Sequence, residues 1–519
     1  MAKTFAGATL LLMLMNALSR LLGFVRETAM AAVVGAGQYT DAYQVAYTLP
    51  YFLQMVLGVA LVSSIVPAVV RCVEAGRSEE GWRVASVIMN LTVILMSAVA
   101  LAGVFGAKYL VALTAPGFSP ETAALASTMT AIMFPAIVLM SVALLITGVL
   151  NARRRFAAAA FAPAFSSLVI IIGVVCFGPG HPYALPVATL ISFAGMLLVQ
   201  LPALRAAGFR YSFSLDGGNP LVKNVFTNLA AVFLGTATYQ IYLAINRFFA
   251  SSLVEGSISA LNYAGKLMNL PLGIFVAAVA SGIFPLLSAQ ALAADRRQMW
   301  LTADRGLKLV LLITLPAAAG LMALGQPIVR LLFERAAFTS QATVMTAQAL
   351  FWFGPGMGAM AATQILTRAY YAIGDTKTPL FFGLSSIAVD IAASAALTPL
   401  LRQGGLSLAN SVASLYYALG LYIVLRRRLP GADWRGSALT LAKSLAGAVA
   451  TAASALAIYG LLGSRLAAAG SLGLLLSVGA AIGGGIAVYF FVIFLLKENE
   501  LFDFARELLA RRGKSAPKN

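Results

Sequence analysis

The chain has 519 residues, of which 60% are hydrophobic and 10% are charged, and its mean hydropathy is +0.89. Soluble domains carry roughly 25% charged residues, so this composition excludes a water-soluble globular protein. The formal net charge is +18. Such a charge is found in nucleic-acid-binding proteins and in membrane proteins, and the positions of the basic residues decide between these two classes.

Apolar stretches recur along nearly the whole chain, and a helix of about 20 such residues crosses roughly 30 Å of hydrocarbon. Alternating strands are absent from the pattern, which excludes an outer-membrane β-barrel. The predicted fold class is an all-α polytopic membrane protein with about fourteen transmembrane helices. These are predicted at 5–34, 40–70, 84–107, 123–151, 157–178, 184–204, 224–250, 257–291, 306–325, 341–372, 379–400, 405–425, 437–462 and 468–496.

Lysines and arginines are distributed unequally between the predicted inner and outer loops. With the N-terminus in the cytoplasm, 25 of the 36 lysines and arginines fall on the inner side, 5 fall in outer loops and 6 lie inside spans. This is the positive-inside pattern. It predicts a multi-pass protein of the bacterial cytoplasmic (inner) membrane with both termini in the cytoplasm, and it excludes nucleic acid as the partner.

Two parts of the chain resemble each other at an offset near 220 residues: VALVSSIVP at 59–67 aligns with AAVASGIFP at 277–285. An even number of helices in each copy keeps the orientation, so the repeat is parallel, and transporters of this kind bind substrate between their lobes. The predicted domains are an N-lobe at 1–206, a C-lobe at 221–428, two further helices at 437–496 and a basic tail at 497–519. Small residues in 437–496 favour close packing or a lipid-tail groove.

Ionisable residues inside the predicted spans cost about 3 kcal/mol or more each unless they find a partner or water. Cations predominate among them, and arginine forks match phosphate oxygens, so the pattern favours an anionic ligand in an inter-lobe cavity. Arg247 and Lys266 either line that cavity or extend to the membrane surface. The full set is Arg20, Arg26, Glu27, Asp41, Arg247, Lys266, Arg368, Asp390 and Lys443.

Several of these residues have a second interpretation. Arg26 either lines the cavity or pairs with Asp41 at the outer ends of the first two helices, as a lock or gate. Arg368 and Lys443 lie near the inner ends of their helices and can extend to the cytoplasmic face.

Asp390 lies in a long apolar stretch, with Ser386 one turn before it and Asn246 in a helix that could approach. Carboxylate, hydroxyl and amide oxygens together suit Na⁺ or a proton, and the alternative is a neutral carboxyl or a pair with Arg247. Two cysteines and one histidine exclude a disulfide framework and a Cys/His metal site. We therefore predict no cofactor and no certain metal ligand.

Several motifs resemble the MurJ (MviN) family of the multidrug/oligosaccharidyl-lipid/polysaccharide exporter superfamily. The similarity covers all predicted spans in order. The motifs are SRLLGFVRE at 19–27, GAG at 35–37, TDAY at 40–43, FAS at 249–251, GSIS at 256–259, LPLG at 270–273, FPLLS at 284–288, ERAAFT at 334–339 and YYAIGDTKTP at 370–379.

The resemblance implies transport of lipid II, an undecaprenyl-diphosphate disaccharide-pentapeptide, from the inner to the outer leaflet for peptidoglycan synthesis. This chain departs from the family pattern at Gln54, Asn246 and Gly265, where many members carry a charged residue. The candidate cavity residues are Arg20, Arg26, Arg247, Lys266 and Gln54, and the candidate gate residues are Ser19, Glu27, Asp41 and Arg368.

The expected mechanism is alternating access, driven by the membrane potential, Na⁺ or H⁺. Expected partners are lipid II or a related undecaprenyl-diphosphate lipid, membrane lipids and cell-wall synthesis proteins. The sequence contains no HExxH, no GxSxG and no paired aspartate cluster, so we do not expect an enzyme. The alternatives are a flippase for another polyprenyl-diphosphate-linked glycan, a cation-coupled drug exporter, a membrane-embedded enzyme and a scaffold.

Overall fold

The computed structural model describes residues 2–153, 155–216, 218, 222–223, 243–429, 434–466, 470–498 and 500. All regular secondary structure in these ranges is helical, which confirms the predicted all-α class. Ten helices among the described residues are long and apolar enough to cross a bilayer. The chain is therefore a multi-pass membrane protein.

The helices begin and end near the predicted bounds. In chain order they are α1 (Ala2–Val34), α2 (Gln38–Glu74), α3 (Ser78–Thr114), α4 (Pro120–Met133), α5 (Ala136–Ala152), α6 (Phe156–Phe177), α7 (Ala184–Leu198), α8 (Leu201–Ala206), α9 (Ser257–Pro271), α10 (Ala277–Leu292), α11 (Arg296–Ala323), α12 (Gly325–Phe333), α13 (Ser340–Ala372), α14 (Lys377–Leu401), α15 (Gln403–Arg428), α16 (Trp434–Leu466) and α17 (Gly470–Leu495).

Some helices extend beyond the apolar stretches that predicted them. α3 starts at Ser78 rather than 84, and α11 starts at Arg296 rather than 306, where the Asp295 carboxylate accepts a hydrogen bond from the backbone N–H of Gln298 at 3.0 Å. Polar helix ends of this kind are invisible to a hydropathy pattern. The predicted helix at 224–250 lies largely outside the described residues, which show a helix at 243–250.

α9 and α10 form one span, joined by a π-helical turn at Leu272–Val276. The turn follows Pro271, whose ring nitrogen cannot donate to the helix ladder. The whole segment, Ser257–Leu292, agrees with the single helix predicted at 257–291.

The chain divides into two compact units. Unit 1 comprises Met1–Ser259 and Phe333–Thr339, and unit 2 comprises Ala260–Leu332 and Ser340–Asn519. The core of unit 1 includes Trp82, Ile88 and Leu145, and that of unit 2 includes Trp300, Tyr370 and Leu425. The lobe boundaries at 206 and 221 stay a prediction.

In unit 2, the last two helices pack closely on their neighbours, as their small residues predict. The hydroxyl of Tyr489 in α17 donates to the backbone carbonyl of Leu312 in α11 at 2.5 Å. Ala455 and Ala481, from α16 and α17, are buried in one cluster with Leu324. Small side chains let helix backbones approach within a membrane, so this pair is held by packing.

Candidate functional site

Arg26 lies on α1 of unit 1 beside the buried carboxylate of Glu27, and one guanidinium nitrogen of Arg26 is 2.8 Å from Glu27 Oε1. The Arg26 side chain keeps 30% of its surface exposed, whereas Glu27 keeps 7%. The Nε–H of Arg26 is buried and has no acceptor among the described residues. The guanidinium is thus only partly neutralised and retains donors for an anionic ligand.

Three tyrosines on α2 lie at i, i+4 and i+8 and share one helix face. Tyr43 and Tyr47 stack with ring centroids 5.8 Å apart, and Tyr47 and Tyr51 follow at 5.4 Å. The hydroxyl of Tyr43 is 3.1 Å from the hydroxyl of Thr189 on α7. The charge of Arg26 interacts with Tyr43 and Tyr47, so this aromatic row lies close to the guanidinium. The four-residue spacing could have predicted the row.

Arg247 lies in the helical segment 243–250 of unit 1 and donates a hydrogen bond to the hydroxyl of Thr48 on α2. Thr48 is buried, and its own hydroxyl also bonds to the carbonyl of Gln44 at 2.9 Å. Arg247 is partly buried. Two candidate cavity arginines, Arg26 and Arg247, therefore both flank α2 within unit 1.

Asp41 near the start of α2 does not pair with Arg26, so that alternative is wrong in this conformation. The Asp41 carboxylate instead accepts hydrogen bonds from the backbone N–H of Gly256 at 2.7 Å and of Ser259 at 2.8 Å, and from the Ser259 hydroxyl. Asp41 thereby caps the first turn of α9, where the backbone N–H groups have no partner inside the helix. The Asp41 carboxylate is buried and already accepts three hydrogen bonds, so Arg26 pairs with Glu27 instead.

Two glycines allow the loops around Asp41 to approach closely. Gly256 has φ +90°, and a Cβ atom there would lie 2.8 Å from the carbonyl oxygen of Ala36. Gly35 has φ +76°, and a Cβ atom there would lie 2.4 Å from the carbonyl oxygen of Ala337. The backbone N–H of Ala337 donates to the carbonyl of Ala32 at 3.0 Å. Side chains at either glycine would push these backbones apart.

The remaining candidates of α1 and α2 are less enclosed or lie outside the description. Ser19 is partly buried and Arg20 is exposed, while Glu27 is buried. Arg20 and Glu27, seven positions apart on α1, therefore differ in burial. The side chain of Gln54 lies outside the described residues.

In unit 2, Lys266 on α9 is partly buried, and the guanidinium of Arg368 on α13 lies 5.6 Å from the centroid of the Phe284 ring. A cation over an aromatic face is stabilised where water is scarce. Lys443 on α16 does not simply extend to water, because its ammonium nitrogen is 3.1 Å from a carboxylate oxygen of Glu498 and its side chain is 19% exposed.

Asp390 on α14 is 1% exposed, and neither carboxyl oxygen has a hydrogen-bond partner among the described residues. The hydroxyls of Ser394 and Thr398, one and two turns further along the same face, are also buried without a partner there. The hydroxyl of Ser386 donates to the carbonyl of Gly383 at 2.7 Å. The polar stripe on α14 is thus longer than the sequence prediction and continues away from Ser386.

Asn246 in unit 1 is partly buried. No group of three or more His, Cys, Asp or Glu side chains is arranged to hold a metal ion in the part of the chain that the structure describes. The contribution of Asn246 to a cation site stays a prediction.

Several known proteins are similar to this chain in sequence. Residues 30–499 match the family model described as lipid II flippase MurJ. The probable lipid II flippase MurJ of Rhizobium meliloti (strain 1021) is 33% identical over 429 residues, which cover 80% of this chain and 78% of the relative. The lipid II flippase MurJ of Burkholderia cenocepacia is 31% identical over 451 residues, covering 82% and 86%.

Solved structures share the fold. A lipid II flippase MurJ in an inward closed conformation matches with a TM-score of 0.76 and 24% identity, covering 96% of this chain and all of that one. An inward-facing multidrug resistance MATE family transporter of the MOP superfamily matches with a TM-score of 0.64 and 15% identity, covering 80% and 94%. Because the family match spans most of its length and two relatives exceed 30% identity, this chain belongs to the MurJ family of lipid II flippases.

Proposed function

We propose that this chain moves lipid II from the cytoplasmic to the outer leaflet of the bacterial inner membrane by alternating access. The observation that carries the proposal is Arg26 in the first predicted span, whose side chain keeps 30% of its surface exposed despite its pair with Glu27. A cation that served packing alone would be fully enclosed or would extend to the membrane surface. A diphosphate headgroup supplies the acceptors that this guanidinium lacks.

Arg247 extends the same electropositive face, and its bond to Thr48 orients it along α2. We assign the diphosphate to Arg26 and Arg247, with Arg20 and Lys266 as further contacts. Gln54 lies on the same helix as Thr48 and contributes a neutral amide where many family members carry a charge. The lipid tail stays in the bilayer, along the outer surface of α16 and α17, where large apolar side chains are exposed.

Asp41 supports the assignment of a gate. Its hydrogen bonds to Gly256 and Ser259 join the start of α2 to the start of α9. Release of this cap would free the two helix ends to separate, which alternating access requires on the outer side. Ser19, Glu27 and Arg368 complete the proposed gate set.

Asp390 supports coupling to a cation. A buried carboxyl group without partners gains free energy when it takes up Na⁺ or a proton, and it favours the conformation in which that cation is bound. Ser386 and Asn246 are the other proposed ligands. The membrane potential is the alternative drive, worth about 2.3 kcal/mol per charge per 100 mV.

We further propose that both termini are cytoplasmic, because basic residues concentrate in the segments on that side. The protein carries its cargo without chemical change, and cell-wall synthesis proteins are its expected neighbours. The departures at Gln54, Asn246 and Gly265 favour one competing cargo, another polyprenyl-diphosphate-linked glycan.

Replacement of the resident flippase in a bacterium tests the proposal. Cells depleted of their own flippase and supplied with this chain are assayed for lipid II in the outer leaflet. Restored outer exposure supports the proposal. If the chain is present at normal level and lipid II stays inside, the cargo is wrong, and the same assay with another polyprenyl-diphosphate glycan identifies the competitor. Product turnover in detergent, without a second compartment, would instead indicate an enzyme.

A further inference from the structure

The connector after α8 in unit 1 runs along the outside of α3 as an extended segment. It turns at Gly208, which has φ +78°, and Phe209 then packs edge-on against Trp82 with ring centroids 5.5 Å apart. Residues 209–216 have no regular secondary structure. A membrane helix therefore carries an irregular chain on its surface, and the backbone polar groups of that chain need partners.

Two polar residues of α3 supply these partners. The hydroxyl of Ser86 accepts from the backbone N–H of Ser212 at 3.2 Å. The Asn90 side-chain amide donates to the carbonyl of Ser214 at 3.0 Å and accepts from the Tyr211 hydroxyl at 2.7 Å. Ser86 and Asn90 are 0% and 7% exposed. The connector is thus held in register on α3.

The outer side of the connector is apolar. Tyr211, Phe213 and Leu215 are 58%, 76% and 47% exposed, and their spacing of two is that of an extended chain with one free face. Phe213 would be poorly placed in water, because exposed aromatic and aliphatic side chains at alternate positions of an extended chain form an apolar patch.

The depth of this patch follows from α3. Exposed charged residues at the start of the helix, Glu79 and Arg83 among them, mark the water boundary. From Trp82 to Asn90 the helix rises about 12 Å, so the connector runs from the headgroup level towards the acyl chains. Tyrosine and phenylalanine are favoured at this level.

Cations lie at the water end of the same segment. Arg205 and Arg210 are exposed, and the Arg210 ion pair with Glu79 is weak because both side chains are more than 80% exposed. Arg155 is exposed and donates to the carbonyl of Ala206 at 2.7 Å. Basic residues beside interfacial aromatics are the charge complement of an anionic phospholipid headgroup.

We propose that residues 205–215 form a binding site for an anionic phospholipid of the cytoplasmic leaflet. Tyr211, Phe213 and Leu215 insert among the upper acyl chains, and Arg205 and Arg210 bind the phosphate. This inference rests on the proposed orientation of the chain in the membrane. It does not depend on the cargo, because the site lies on the outer surface of unit 1.

Spin labels test the insertion. Single cysteines replace Phe213 or Leu215 in the full chain with Cys72→Ala and Cys176→Ala, and Ala75→Cys, at an exposed position in the turn before α3 on the water side of the boundary, is the control. In phosphatidylglycerol–phosphatidylcholine vesicles, labels at 213 and 215 collide several-fold more with oxygen than with an aqueous nickel chelate, and the control shows the reverse. A label at 213 as accessible to nickel as the control overturns the proposal.

The headgroup preference is tested by energy transfer from a fluorophore at residue 213 to labelled lipids. Labelled phosphatidylglycerol gives several-fold more transfer than labelled phosphatidylcholine, because each basic residue at the surface contributes about 1 kcal/mol. Arg205→Gln with Arg210→Gln removes the preference, and Arg296→Gln with Arg297→Gln, at exposed positions of unit 2, keeps it. Equal transfer from both lipids, or a preference that survives the first pair of changes, overturns the proposed headgroup site. Neither measurement involves transport, so failure of the flippase proposal would be seen separately.

Discussion

The carboxylate of Asp41 accepts hydrogen bonds from the backbone N–H and the hydroxyl of Ser259, a residue 218 positions later in the chain. The contact joins the beginnings of α2 and α9, which the predicted repeat assigns to different lobes. A long-range cap of this kind is strong when formed, because a charged acceptor meets helix-end donors out of water, and it is lost as a unit when the helix ends separate.

We expect Asp41→Ala to reduce transport by about tenfold or more, because hydrogen bonds to a charged group contribute roughly 1.5–3 kcal/mol. Ser259→Ala removes only the hydroxyl bond and keeps the backbone bond, so its effect is smaller. The leaflet assay for lipid II measures both variants at matched protein level. Equal activity of Asp41→Ala and wild type would remove Asp41 from the gate.

Arg26→Ala should abolish complementation in flippase-depleted cells while the protein level is kept. Arg26→Lys should restore little, since a lysine lacks the fork that binds two phosphate oxygens. Arg297→Ala, at an exposed position, is the control and should complement fully. Normal growth with Arg26→Ala would contradict a role for this guanidinium in the cavity.

Asp390→Asn should remove cation coupling, because the amide carries no charge to exchange. If Na⁺ is the coupling ion, Na⁺ raises the unfolding temperature of the purified wild-type chain and leaves that of Asp390→Asn unchanged. Asp295→Asn, outside the buried stripe, should retain the Na⁺ effect. A Na⁺ response that survives in Asp390→Asn places the cation elsewhere, and a pH response lost only in Asp390→Asn identifies the proton instead.

Asp375 lies before α14, outside the membrane span. Its carboxylate should make the free energy of unfolding depend on pH in the acid range. Burial alone would raise the pKa of Asp375, but hydrogen bonds from Thr378 and the Arg428 guanidinium outweigh it and lower the pKa to about 2 from an ordinary value of 3.8. The stabilisation is therefore complete above about pH 4 and is lost as the pH falls towards 2.

Asp375→Asn should consequently destabilise the protein at pH 6 by about 1 kcal/mol, because the amide loses the ion pair with Arg428 and keeps only one acceptor oxygen, and should flatten the acid dependence between pH 4 and 2. Thermal unfolding in detergent at several pH values gives both quantities. Glu121→Gln, on another exposed helix start, serves as the comparison. An unchanged acid slope in Asp375→Asn would exclude this carboxylate as its source.

The pair Lys443–Glu498 should behave as a buried ion pair. Lys443→Met or Glu498→Gln alone should cost up to about 3 kcal/mol, because each leaves a largely buried charge without its ion-pair partner. The double variant should recover much of that loss. A double-mutant cycle on unfolding in detergent measures the coupling, and additive single effects would contradict it.

The sequence predicted the helices and their approximate ends because twenty-residue apolar stretches have one stable form in a bilayer. It also identified Arg26, Asp41 and Asp390, since an ionisable residue in such a stretch is costly enough to require a reason. These inferences are local: each depends on one helix and its surrounding lipid.

Partners were decided by the tertiary structure. Arg26 pairs with Glu27 rather than Asp41, Asp41 caps a helix 215 residues away at Gly256, and Lys443 meets Glu498. Ser394 and Thr398 became candidates only because the structure shows that their hydroxyls, like the Asp390 carboxyl group, are buried without a partner among the described residues. Pairing depends on which helix ends meet, and that is determined by long-range packing between helices, which a hydropathy pattern of single helices does not contain.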